Sequence, residues 1–337
     1  MDSQHYFNPY SNQTFFGFFI QLITRFWSWI NGGISSENIA SDEVQIFVLA
    51  GVAASSALVG TFLVLRKMTM LANSLSHTIL IGIVLAFLWA YGLSAEGHAH
   101  SDPIDVHVLI IAALIMGFIT TILTELLTRG ARLQEDASTG IVFTSLFAVG
   151  IVAVTLLTRN VHIGTEAVMG NVDALQIGDC LMVYTVLAVN LLLFIVFFKG
   201  FNITTFDPGL SKIFGISPVV FSYLLMMQVS LTSISAYRAV GVLMLLAFVT
   251  GPALTARMLT SSLRGMLALS AILGISASLV GVALTRDILT RYDIALSTSG
   301  VVVCVIVLFY IATAVIITFK GEGLFGKNKI NGLPSAL

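Results

Sequence analysis

Residues 66–87 read RKMTMLANSLSHTILIGIVLAF: two basic residues, then an apolar run in which His77 is the single ionisable group. A hydrocarbon core of ~30 Å takes ~20 helical residues to cross, and this run, extended to residue 93, is long enough. Working outward, comparable runs fall at about 44–65, 106–127, 140–158, 180–198, 218–236, 239–258, 266–285 and 299–319. That makes about nine spans. They are uniformly apolar rather than alternating, which disfavours a β-barrel and leaves helices to satisfy the backbone. The expected fold class is therefore all-α, a polytopic membrane helix bundle. Composition agrees, with 57% hydrophobic and 10% charged residues in 337 and a mean hydropathy of +0.98, too apolar for a chain surrounded by water.

The formal net charge of -1 gives no reason to invoke nucleic acid. The positions of Lys and Arg are more informative. Eleven, among them Arg66, Lys67, Lys212, Arg257 and Arg264, fall in one alternating set of connections and five in the other. The positive-inside rule places the richer set in the cytoplasm, so the N-terminus is expected outside and the C-terminus inside. Residues 15–30 carry Arg25 among aromatics, with no basic leader or small-residue cleavage site, and favour an interfacial helix over a signal peptide. The organisation that follows is an N-terminal extension (1–43), a transmembrane domain (44–320) and a cytoplasmic tail (321–337). Cys180 and Cys304 lie in no metal or redox spacing and read as core or lipid-facing thiols.

Within the span after Arg66, His77 lies ~15 Å from the cytoplasmic edge, near the midplane, at ~1.5 Å per residue. Asn73 is four residues earlier and shares its helix face, so an amide oxygen and an imidazole nitrogen can point into one cavity. Two readings stand: a neutral histidine packed by a hydrogen bond, or a ligand on a permeation path, since intramembrane ionisable groups are costly and usually functional. The loop SAEGHAHSDPIDVH, 94–107, offers Glu96, His98, His100, Asp102, Asp105 and His107. Imidazole and carboxylate suit Zn, Mn or Fe, but the spacing fits no closed zinc motif. A polar loop that happens to be histidine-rich competes with weak metal capture at an entrance. His162 and Glu166 form a further outward pair whose plainer reading is a solvated loop.

On the other side, Asp136 is expected to cap the span that follows it. FDPGLSKIFGI, 206–216, reads as a short amphipathic helix bounded by Pro208 and Gly215. PALTARMLTSSLRG, 252–265, is expected to leave the membrane at Pro252 and to expose Arg257 and Arg264. No G-x-x-x-x-G-K-[ST] loop occurs, so ATP-driven work needs a partner.

LVLRKMTMLANSLSHTILIGIVLAF resembles the R-x-x-x-x-G-D-A-x-S-H-A-x-x-x-G segment of the ABC-3 type metal-import permeases. DASTGIVFTSLFAVGI, FDPGLSKIFGI and VGVLMLLAFVTGPALTARMLTSSLRGML are similar to three further segments of that family in the same order, so the resemblance spans about residues 50–285. It implies a permease dimer, homologous or identical, on two ATPase subunits that use ATP, fed by an extracytoplasmic metal-binding protein in a bacterial inner membrane. No cofactor is held permanently; the cargo is a divalent ion of Mn, Zn or Fe. His77 is then the pathway metal ligand, with Asn73 standing where the family has Asp. The segment around Pro252, Arg257 and Arg264 contains the coupling helix. A short helix at the cytoplasmic face, such as Asp207–Gly215, is what a partner ATPase could grip, although a plain solvated loop would look similar. The alternative is a secondary transporter or channel using His77 as an ion site; it would call for more intramembrane carboxylates than the lone Glu125. An intramembrane enzyme would need a ligand pattern such as H-E-x-x-H, which is absent.

Overall fold

The computed structural model describes residues 9–10, 13–31, 39–70, 74, 81–82, 106–158, 172–175 and 177–319. Its helices are α1 (Phe15–Ile30), α2 (Ser41–Leu65), α3 (Val106–Gly130), α4 (Glu135–Thr158), α5 (Ile177–Val196), α6 (Phe198–Phe206), α7 (Pro208–Ile213), α8 (Pro218–Leu259), α9 (Leu263–Tyr292) and α10 (Thr298–Phe319). The chain is an all-α polytopic membrane bundle. Among the described residues six segments are long and apolar enough to cross a bilayer: α2, α5, α9, α10 and the two arms of α8, Pro218–Ala236 and Ala239–Leu259. The expected spans at 106–127 and 140–158 are helical as α3 and α4, with shorter apolar stretches at Leu114–Thr128 and Ala137–Ala153. Most of the run at 68–93 and the tail 321–337 lie outside the described residues. Helix α4 begins at Glu135, so Asp136 occupies its first turn instead of the cap.

The bundle is built around α2, 78% of whose apolar window is buried, against 17% for α10. The arms of α8 run in opposite directions past it. Ser222 meets Arg66 at the end of α2 and Thr232 meets Ser55 at its middle, while in the second arm Val249 lies at Gly60 and Ala253 and Ala256 pack with Val64. The chain reverses at Gly241, whose φ of 72° and ψ of 173° are open only to glycine. A Cβ on Gly60 would lie 1.9 Å from the Val249 carbonyl oxygen, so this crossing exists only because both backbones can touch.

Where α2 starts, charge ties the elements together. Glu43 accepts the Ala40 N–H at 2.9 Å, opening the helix, and also accepts from Tyr10 at 2.8 Å and from Arg25. Arg286 near the end of α9 donates to buried Asp42 at 2.7 Å, and Asp287 accepts the first N–H of α1, from Phe15, at 2.9 Å. Residues 15 and 25 of α1 are thus both held at one end of the bundle, so α1 lies across that end and does not pass through it. Phe16, Ile20, Ile23 and Trp27 remain exposed on it. Cys180 is half-buried and Cys304 exposed; neither forms a disulfide.

Candidate metal path and coupling face

The end where α2 finishes carries the expected coupling residues. Phe62, Phe194 and Phe201 form an aromatic knot with ring centroids 4.8–5.3 Å apart, and Phe221 adds to Phe201 at 5.2 Å. This knot joins α2, α5, α6 and α8, and fixes α6 as a platform. Asp207 then caps α7, accepting the Leu210 N–H at 2.9 Å, with Pro208 in the first turn where its missing N–H costs nothing. Gly215, at φ 73°, ends the turn while Ile216 N–H returns to Ser211 O at 2.8 Å. The short helix foreseen between Pro208 and Gly215 is there. It exposes Ile213 (82%) and Phe214 (64%), an apolar knob at the bundle's end.

The segment 252–265 takes another form than expected. Pro252 is buried inside α8, and the helix continues past it to Leu259. Proline deletes one helical N–H donor, which bends or weakens a turn without obliging the chain to stop when packing supports both sides. Thr260–Ser262 make the turn, and Ser262 caps α9 by accepting the Gly265 N–H at 3.3 Å. No separate coupling helix occurs there among the described residues. Arg257 and Arg264 are both exposed at this end, and Arg264 lies over the Phe198 ring at 5.6 Å, which brings the 252–265 segment against α6.

Arg66, which the sequence marks only as a cytoplasmic charge, proves to be a clamp. Its Nε donates to Thr205 at 3.0 Å, Nη1 to Ser222 at 3.1 Å and Nη2 to Thr204 at 2.8 Å. These three acceptors are neutral hydroxyls, and burial pushes the guanidinium pKa down to about 10. Deeper in the bundle, Asn190 donates to Ser55 at 2.8 Å and to Thr232 at 2.7 Å, linking α5, α2 and α8. Glu125 of α3 accepts from Tyr223 of α8. None of these interhelical bonds was foreseen; each is a polar residue inside an apolar run, the signal that could have marked it.

His77 and Asn73 lie outside the described residues, as do Glu96, His98, His100, Asp102, His162 and Glu166. His107 falls in the first turn of α3, its side chain outside the description. Of the run that contains His77, Ser74 and Ile81 are buried, and a Cβ on Gly82 would lie 3.2 Å from Met116 Cγ. Gly82 therefore packs on α3. Among the described residues no group of three His, Cys, Asp or Glu could hold a metal ion.

With this geometry in hand, comparison with known proteins is specific. The family model of the ABC 3 transport family matches residues 43–317. A probable metal transport system membrane protein of Chlamydia muridarum is 38% identical, over 91% of this chain and 93% of its own. The manganese transport system membrane protein MntD of Bacillus subtilis is 36% identical over 69% of this chain and 79% of its own. Among solved structures, PsaBC from Streptococcus pneumoniae in complex with Fab superposes with a TM-score of 0.68 at 26% identity, covering 82% of this chain and 94% of that one. The chain is a multi-pass membrane protein that belongs to the ABC 3 transport family.

Proposed function

We propose that the chain is the membrane-spanning permease of a bacterial inner-membrane ABC importer that moves a divalent transition metal, Mn, Zn or Fe, into the cytoplasm. The family match along residues 43–317 carries this reading, and the manganese-transport relative supports the substrate class. A separate ATPase subunit supplies the work, since the sequence has no phosphate-cradling loop. An extracytoplasmic binding protein delivers the metal, and a second permease copy or homologue completes the path.

In this reading residues 44–320 are the permease domain, the N-terminus is outside and the tail 321–337 is cytoplasmic, as the distribution of basic residues favours. The ATPase seats on α7 between Asp207 and Gly215 and on the segment from Pro252 through Arg257 to Arg264. Exposure of Ile213, Phe214, Arg257 and Arg264 at the same end supports that seat. His77 is the transient ligand: a neutral imidazole binds a borderline cation and releases it when helices rearrange. Asn73 adds a neutral carbonyl oxygen, and Glu96, His98, His100, Asp102 and His107 gather metal at the entrance.

The test is uptake of radiolabelled Mn, Fe and Zn into vesicles carrying the assembled transporter. His77→Ala is expected to abolish import of the cargo while assembly and ATPase association persist. Undiminished uptake of all three metals would return His77 to a packing role.

A further inference from the structure

A half-open cavity of about 430 Å³ lies at the end where α2 starts, between the second half of α1 and the first turns of α2 and α5. Leu22, Phe26 and Trp29 wall it from α1, at the spacing that puts three residues on one helix face. Ile46 and Phe47 wall it from α2, and Ile177, Cys180 and Tyr184 from α5. The charged and hydroxyl groups in this lining are already engaged: Arg25 donates to Glu43, and the Tyr184 hydroxyl donates to Phe47 O at 3.1 Å. What is left for an occupant is hydrocarbon, aromatic ring and one thiol. The two halves of α1 differ accordingly. Phe18 is fully buried with its ring centroid 4.9 Å from that of Tyr10, whereas Phe26 and Trp29 are half exposed.

Depth selects the occupant. Helix α5 has 20 residues, about the length that crosses the hydrocarbon core, and Tyr184 is seven residues in from Ile177, ~10 Å at ~1.5 Å per residue. The cavity therefore reaches down to the level of acyl chains. Water has no free polar partners to hold it there. A second copy of this chain is a poor filler, because across a two-fold axis the hollow meets the same hollow. Ile23 belongs both to the lining and to the exposed row of Phe16, Ile20 and Trp27, so the apolar surface continues out of the cavity along α1. Tryptophans such as Trp27 and Trp29 are favoured at headgroup level. A hydrocarbon chain can enter from the side without leaving the bilayer, and it restores the contacts that an empty hollow denies to the atoms around it.

We propose that this cavity binds one acyl chain of a bilayer phospholipid, gripped between α1, α2 and α5 more firmly than the lipid that merely surrounds the bundle. The chain then completes the packing of the second half of α1, which the Arg25–Glu43 pair anchors at one point. The experiment places the full chain in nanodiscs of phosphatidylethanolamine and phosphatidylglycerol, with a trace of phosphatidylethanolamine that carries a photoreactive diazirine at mid-chain. Samples are irradiated before and after exchange into detergent, and the cross-linked peptides are mapped by mass spectrometry. Helix α10, the least buried of the spans, reports on surrounding lipid. Cross-links on the cavity walls are expected to survive the exchange that removes those on α10. Ile177→Trp and, separately, Cys180→Phe narrow the cavity from α5 and should bring the surviving cross-links down to the level of α10, with melting temperature recorded for each. The proposal is overturned if wall and α10 cross-links wash out together, or if either folded variant keeps its wall cross-links. It is equally overturned if the walls go unlabelled before the exchange, the mark of a hollow covered by protein. Should neither variant fold, the washing comparison on the unaltered chain still decides.

Discussion

The two ends of the bundle are built on opposite principles. Where α2 starts, opposite charges meet: Arg286 on Asp42, Arg25 on Glu43, Arg291 on Asp287 at 2.9 Å, and Asp173 accepts from Thr298 at 2.7 Å. Where α2 finishes, Arg66 is held by neutral hydroxyls, and Arg257 and Arg264 stand exposed beside the apolar knob of α7. A charge already neutralised by its own chain has little to offer a partner, whereas an exposed arginine beside an apolar knob can take part in an interface. The first end is closed by its own residues, and the second keeps its charges and its apolar surface for something else.

Breaking the closed end should have the largest effect on stability. Asp42 is 0% exposed, and Arg286→Ala would leave its carboxylate buried without its charged partner. Loss of one member of a buried pair costs about 3–5 kcal/mol. The temperature of thermal inactivation in detergent should fall steeply for this variant, and Asp42→Asn combined with Arg286→Met should recover much of the loss, since two neutral groups need no mutual compensation. If the single and the double change are equally damaging, the pair is not what closes this end.

Arg66→Met probes the other end's clamp and should cost less. Three hydrogen bonds disappear, but the guanidinium also ceases to be desolvated, the same burial that pushes its pKa down to about 10. The two effects oppose, so the net loss should be that of one charge-assisted hydrogen bond, about 1.5–3 kcal/mol, and not of three. Comparing melting curves of Arg66→Met and Arg286→Ala in one detergent checks the ranking.

The difference between the ends also governs how much could be read from sequence. Apolar run length located the helices, because a bilayer imposes one dominant rule on composition. The helix at 15–30 and the α7 turn were legible from local chemistry, Asp207, Pro208 and Gly215 having roles set within a few residues. Interhelical partners were not: Asp42 meets Arg286 across 244 residues and Arg66 meets Thr205 across 139. Pro252 misled because its local signal says stop, while packing on both sides carries α8 on to Leu259. The candidate metal ligands His77 and Asn73 were named from spacing and resemblance, and they lie outside the described residues.

The smallest effect on stability should come from the residues assigned the largest effect on transport. Arg257 and Arg264 are exposed, and substitutions at such positions usually change stability by no more than about 0.5 kcal/mol. Arg264 lies over the Phe198 ring at 5.6 Å, a contact worth little when the cation is solvated. Replacing both arginines by Glu should therefore leave insertion and melting temperature near those of the unaltered chain. It reverses two charges on the face assigned to the ATPase, however, where like-charge contacts cost several kcal/mol of association. Metal uptake should collapse and the ATPase should be lost on purification, more completely at low salt than at high, because exposed charges are screened. Arg257→Gln with Arg264→Gln, which removes charge without reversing it, should fall between. Normal import by the Glu pair would mean that this end's exposed charges are incidental, and that the contrast between the two ends says nothing about coupling.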